Sequence, residues 1–165
     1  MAGTFLNSFH QFSLTLYSAA PMENAKQNLI PVESSSVSAA TIDFGGSKVR
    51  FGSVHPFSPR PRNQGLWNRS LDSLAQLQHY DNLYVLMGDF NSTWDHASFR
   101  YLLGSRFLDS GQQAGEGLHM TYPAMMPIAE IDHIVHDKGV NVGDLETKYI
   151  AGSDHRALLA TLEVA

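Results

Sequence analysis

Three short acidic motifs stand in the second half of this chain: Gly88-Asp89-Phe90-Asn91, Ile131-Asp132-His133-Ile134 and Gly152-Ser153-Asp154-His155-Arg156. Each sets a carboxylate beside an amide or an imidazole, next to an apolar run that reads as a strand. Three carboxylates can hold a hard divalent cation. A histidine beside them can move a proton. The combination points to metal-assisted cleavage of a phosphate ester.

Asp89 and Asn91 are two residues apart, where a strand breaks into a turn. If both point the same way, the amide can donate to a phosphate oxygen while the carboxylate steers a nucleophile. The competing reading is an Asx turn that caps the next helix. A contact between Asp132 and the Asp154-His155 pair would orient the imidazole and raise its pKa. His133 follows Asp132, so on a strand it should face the other way. It reads as structural, as does His136. Glu130 alternates with Asp132 and would put a second carboxylate on the same face. Met125 and Met126 read as core filling, with a lid over the site as the alternative.

These groups need elements to hold them. Residues 37–44 read as a strand, Gly45-Gly46 as a tight turn, and 48–55 as the returning strand of a hairpin. Pro56, Pro59 and Pro61 then forbid regular structure, which leaves His55 at the entry of a loop. A helix is predicted over 65–80, with Trp67, Leu71, Leu74 and either Leu77 or Gln78 on one face. Residues 83–87 are a continuous apolar run, the pattern of a strand covered on both sides. A second helix over 95–103 would use Thr93 or Asp95 as N-cap and stop at Gly104. Residues 109–119 read as a loop. Further strands are predicted at 28–32, 130–136, 145–150 and 157–164, the first held to a sheet edge by Pro31. Residues 1–28 form an N-terminal segment with no clear period and room for a short helix; residues 29–165 form the domain proper.

Charged residues are 16% and apolar residues 43% of the chain, a globular balance, and 165 residues suffice for one domain with a sizeable core. The absence of cysteine excludes a disulfide framework or a thiolate site. No apolar run approaches the roughly 18 residues of a membrane span. The mildly apolar stretch 5–20 lacks the basic start of a signal peptide. A soluble chain is expected, its compartment open. The net charge of −5 argues against a dedicated nucleic-acid binder. Even so, Lys48, Arg50, Arg60, Arg62 and Arg69 fall in a stretch without Asp or Glu and flank His55. They read either as a solvated loop or as a local attraction for phosphate.

With Ser53-Val54-His55-Pro56-Phe57-Ser58-Pro59 upstream, the motifs resemble, in order, the endonuclease/exonuclease/phosphatase family, whose best-known member is deoxyribonuclease I. The resemblance runs from about residue 29 to the C-terminus. It implies a four-layer α/β sandwich and dependence on Mg²⁺ or Mn²⁺. It implies that Asp89 orients or activates the attacking water and that Asn91 stabilises the charge on phosphorus. His155 would be the general base or acid, with Asp132 as its partner and His55 as the second histidine. Asp154 and Asp89 would be the metal carboxylates. The resemblance also implies an earlier half, with an Asn on one strand and a metal-binding Glu in a Gln-Glu pair on another. Neither is found, because Glu23 and Glu33 are the only acids before Asp43 and neither has that context. An N-terminally truncated domain is therefore expected, without the Glu; Glu130 as a stand-in is only the lesser alternative.

The resulting expectation is a divalent-metal-dependent phosphoester hydrolase of phosphodiesterase or nuclease type, with nucleic acid among its candidate substrates. One alternative is a truncated, weakly active fragment that serves as a binding or oligomerising module. Another is a small-molecule phosphatase, which the net acidity favours. The fold does not choose among nucleic acid, phospholipid headgroup and sugar phosphate. A partial sandwich leaves apolar sheet surface to cover, so a homodimer is expected.

Overall fold

The Asp43 carboxylate accepts the Gly46 N–H at 2.6 Å and closes the first hairpin. Gly45 and Gly46 both take positive φ, 73° and 111°, where a side chain would be strained. This turn joins β2 (Ser38–Phe44) to β3 (Ser47–Val54) in a computed structural model that describes residues 14–32, 36–115 and 117–164. A short strand, β1 (Glu23–Lys26), pairs antiparallel with β2. It lies in the segment where the sequence shows no period. Residues 28–32 form bends with one bridging residue instead of the expected strand; Pro31 has no N–H to give a ladder. Residues 14–28 contain no helix, and the rest of that segment lies outside the described residues.

From β3 the chain passes through α1 (Gln64–Ala75) and a 3-10 turn (Gln76–His79) into β4 (Leu83–Asp89), parallel to β3. Trp67, Leu71, Leu74 and Leu77 are buried. Leu77, not Gln78, turns inward, because the last turn tightens to 3-10 geometry. Gln78 instead donates to the carbonyls of Tyr101 (3.2 Å) and Leu102 (3.0 Å), at the end of α2 (Ala97–Leu103). Helix α2 starts later than expected. His96 occupies its cap position, and neither Thr93 nor Asp95 caps it. The Thr93 N–H donates to His96 Nδ1 at 2.9 Å, and the Thr93 hydroxyl bonds to Asp95. Gly104 does end the helix, at φ 52°.

Strand β5 (Phe107–Asp109) and helix α3 (Ser110–Ala114) replace the first part of the expected 109–119 loop. Five residues are too few to display a helical period. Strands β6 (Asp132–Asp137), β7 (Val140–Lys148) and β8 (Ala157–Val164) complete the chain. Six strands form one sheet in the order β1-β2-β3-β4-β6-β5, and β7 and β8 form a second.

The two sheets and the helices account for the unbroken apolar run in β4. Tyr84 and Leu86 join Leu71, Leu74, Phe99 and Leu102 in the core beneath α1 and α2. Val85, on the opposite face, joins Val49, Ile134, Val140 and Leu145 against the second sheet. This is the layered α/β sandwich expected. Among the described residues, no helix is long and apolar enough to cross a membrane.

Candidate active site

Strand register brings the acidic motifs together. In the parallel pair β3–β4, Val54 lies opposite Gly88, so His55 leaves β3 beside Asp89. In the antiparallel pair β4–β6, Asp89 lies opposite Asp132. Gly88 makes the close approach possible. It takes φ 140°, and a Cβ there would collide with the Val54 carbonyl oxygen. His155 arrives from the second sheet, just before β8. Its segment is tied to the loop before β6: the Ala124 N–H donates to Asp154 O (2.7 Å) and the Arg156 N–H to Thr121 O (2.8 Å). The Thr121 hydroxyl in turn accepts the N–H groups of Ile131 (3.5 Å) and Asp132 (3.4 Å).

The result is a cleft of about 660 Å³ lined by His55, Asp89, Asn91, Asp132, Asp154 and His155, with Arg60 and Asn63 at its side. All six residues singled out from the sequence thus share one wall system. His155 Nδ1 and Asp132 Oδ2 are 2.7 Å apart. Asp89 Oδ2 stands between the two histidines, 3.5 Å from His55 Nε2 and 3.9 Å from His155 Nε2. Its other oxygen accepts the Asn91 N–H at 2.7 Å, and Asn91 sits at φ 49°. The Asx turn of the competing reading is therefore present, although it does not cap α2, and it brings Asn91 to the cleft. The Asn91 amide donates one proton to Pro56 O at 3.0 Å and keeps a second for a ligand.

Facing carboxylates set the local electrostatics. Burial pushes Asp89 above the usual carboxylate range; the Asn91 N–H and both histidines pull it down, while Asp132 adds to the rise. Burial acts to lower His155, but the Asp132 hydrogen bond and the charges of Asp132, Asp89 and Asp154 outweigh it, and the net shift is upward. The Tyr122 ring packs on the His155 ring, centroids 4.8 Å apart.

Two sequence expectations are corrected, for Glu130 and for Met125 and Met126, and the open reading of Lys48 and Arg50 is decided. Glu130 does not share a face with Asp132, because β6 starts only at Asp132 and the period-two alternation does not extend back. It is buried away from the cleft, 3.9 Å from His119, and burial raises its pKa. Lys48 and Arg50 are not phosphate attractors: Lys48 pairs with Glu23 at 2.8 Å, and buried Arg50 donates to the Thr41 hydroxyl at 2.9 Å. Of the basic stretch, Arg60 lines the cleft. Met125 and Met126 are exposed, not core.

His133 faces away from Asp132, as the alternation requires. It is buried, with Nδ1 3.2 Å from Asp109 Oδ1 and Nε2 donating to the Ser92 carbonyl at 2.7 Å. It thereby fixes the turn that carries Asn91. No sequence signal marked Asp109, whose strand is three residues long.

The metal donors are few. Asp89 Oδ1 and Asp132 Oδ2 are engaged within the protein, leaving Asp89 Oδ2, Asp132 Oδ1 and the exposed Asp154 carboxylate. Among the described residues, no cluster of three or more His, Asp or Glu is arranged to enclose a metal ion. Glu23 is on β1 in its ion pair with Lys48, and Glu33 lies outside the described residues. These few oxygens fit a cation that keeps several waters, as Mg²⁺ does; they do not make a closed protein cage.

A model of the endonuclease/exonuclease/phosphatase family matches residues 7–155. No curated protein sequence matches the chain. Solved structures share the fold. A humanised TDP2 from D. rerio superimposes with a TM-score of 0.74 at 17% identity, covering 98% of this chain and 76% of that one. An endonuclease/exonuclease/phosphatase family protein from Leptotrichia buccalis gives 0.72 at 16% identity, covering 97% and 70%. A mannosyl-6-phosphatase from Bacteroides thetaiotaomicron gives 0.58 at 18% identity, covering 78% and 56%.

Proposed function

The chain belongs to the endonuclease/exonuclease/phosphatase family, whose members are metal-dependent phosphoester hydrolases, and from that premise we propose that its cleft cleaves a phosphoester by attack of water on phosphorus. The observation that carries this reading is the Asp132–His155 pair with its second nitrogen turned toward Asp89. Asp132 accepts the Nδ1 proton, which leaves Nε2 to take a proton from water. Asp89 Oδ2, 3.9 Å from that nitrogen, holds the water by its other hydrogen. His55 and the Asn91 amide face the same space and donate to the phosphoryl oxygens as negative charge grows there. Arg60 draws the anion to the cleft. A Mg²⁺ or Mn²⁺ ion held by Asp89 and Asp154 would supply further charge neutralisation at the phosphoryl group.

The test is turnover of bis-p-nitrophenyl phosphate and of plasmid DNA with Mg²⁺, Mn²⁺, Ca²⁺ or EDTA. A phosphomonoester substrate is the second reading. The net charge of −5 and the single arginine lining the cleft favour it over a long polyanion. Turnover of p-nitrophenyl phosphate in place of the diester would select it.

Three outcomes follow from the geometry. With so few protein oxygens for the cation, turnover should stop in EDTA and return only at metal concentrations well above micromolar. Isothermal titration showing micromolar or tighter binding would contradict this. The raised His155 pKa gives an acid limb to the rate. His155 must be neutral to accept a proton, and a raised pKa keeps it protonated to higher pH. The rate should therefore climb with pH through a midpoint above the ordinary imidazole value of about 6.5. A midpoint below that value would remove His155 from the base role. The second sheet has two strands among the described residues, and β8 is only half-buried, with Leu159 exposed. A homodimer that covers this sheet is the expected state in solution; light scattering that reports a monomer at micromolar concentration would refute it.

A further inference from the structure

The loop that packs Tyr122 against His155 has an outer side that the chemistry does not use. It is closed at its base: the Tyr122 N–H donates to Ala129 O at 3.0 Å, and the N–H groups of Ile128 and Ala129 both donate to Tyr122 O at 2.9 Å. It is pinned to the catalytic segment by the Ala124–Asp154 bond and by Arg156 Nε donating to Ala124 O at 3.0 Å. Ala124 is buried beneath it. Met125, Met126 and Ile128, by contrast, are 80%, 74% and 71% exposed. Residues 117–129 contain no Asp, Glu, Lys or Arg. A lone exposed apolar residue is ordinary. Three on one closed loop beside a cleft, with no charge to solvate them, mark a contact surface.

We propose that this loop is an interfacial anchor that seats in the headgroup region of a lipid surface and brings the cleft to phosphoesters lying in that surface. Docking stands on the loop alone; the choice of lipid phosphoester as substrate rests on the hydrolase reading of the cleft. A lipid surface suits the loop better than a protein does. A specific protein interface buries about 800 Å² per partner with a polar rim, far more than three side chains on a protruding loop offer. Flexible thioether and aliphatic side chains pack into a fluid interface without a matching pocket. Tyr122, 40% exposed at the base of the loop, has the amphipathic ring that favours the headgroup level. With the whole chain at −5, charge alone would hold it poorly on an anionic surface, so attachment must depend on apolar insertion and should be insensitive to salt.

The experiment is co-sedimentation of the full chain with vesicles of phosphatidylcholine and phosphatidic acid. The triple variant Met125→Gln, Met126→Gln, Ile128→Thr should bind at least about tenfold less than the unaltered chain. Raising the salt to about 1 M should change the unaltered chain's binding less than about twofold. Its thermal melt and its turnover of soluble bis-p-nitrophenyl phosphate should match those of the unaltered chain, because the three side chains touch nothing in the cleft. The proposal is overturned if the unaltered chain stays in the supernatant or if the triple variant binds equally. It is also overturned if light scattering shows the variant turning a dimer into a monomer, which would make the loop a protein interface. Vesicle binding is read without turnover. An inactive cleft with intact, loop-dependent binding would therefore sink the hydrolase reading and support the anchor.

Discussion

His155→Ala is expected to lower kcat for phosphoester hydrolysis by about 10³-fold and to leave KM within about threefold. The imidazole combines a nitrogen locked on a carboxylate with a second nitrogen turned to the reaction space. Removing it leaves Asp89 to orient the water without the imidazole placed to take the proton. The ring is partly exposed, and its backbone is held by the neighbouring Asp154 and Arg156 bonds. The variant should therefore melt within a few degrees of the unaltered chain. The acid limb of the pH–rate profile should vanish with the side chain. A loss of less than tenfold, or a limb that persists, would assign the proton transfer to another group.

The largest effect on stability is expected from Gly88→Ala, one methyl group. Gly88 occupies φ 140°, a region that side chains avoid, and the added Cβ would meet the Val54 carbonyl oxygen. That oxygen belongs to the backbone of the paired strand and cannot rotate away. β3 and β4 would have to separate just where His55 and Asp89 meet. Strain and collision together should cost about 3 kcal/mol or more. For a chain of this size that lowers Tm by roughly 10 °C, and turnover should fall with it as the His55–Asp89 separation of 3.5 Å opens. A variant melting within about 2 °C of the unaltered chain would show that the strands can part at little cost.

The positions of the cleft residues were legible because each stands at the end of a strong local signal. The buried run 83–87 marks β4, whose end must carry Asp89. Three prolines mark the loop that His55 opens. The period-two rule turned His133 away from Asp132. What stayed hidden depends on register and partners. Glu130 looked like a neighbour of Asp132 because alternation was extended past the first residue of β6. An attraction for phosphate stayed open for Lys48 and Arg50 because a linear sequence shows neither the Glu23–Lys48 pair across β2 nor the Arg50–Thr41 bond. Asp109, which holds His133 under the Asn91 turn, comes from a three-residue strand. The exposed Met125 and Met126 share their composition with core filling, and only the closed loop separates the two.

Hydrolysis in H₂¹⁸O reads out whether water in this cleft attacks phosphorus. The full chain is incubated with Mg²⁺ and bis-p-nitrophenyl phosphate or p-nitrophenyl phosphate, and the phosphoryl product is weighed by mass spectrometry. Attack of a His155-activated water on phosphorus predicts one solvent oxygen in the phosphoryl product of each cleavage, and none formed in EDTA. Product without solvent oxygen, or no cleavage of either ester with any divalent cation, would contradict the assignment of this cleft as a phosphoester hydrolase centre.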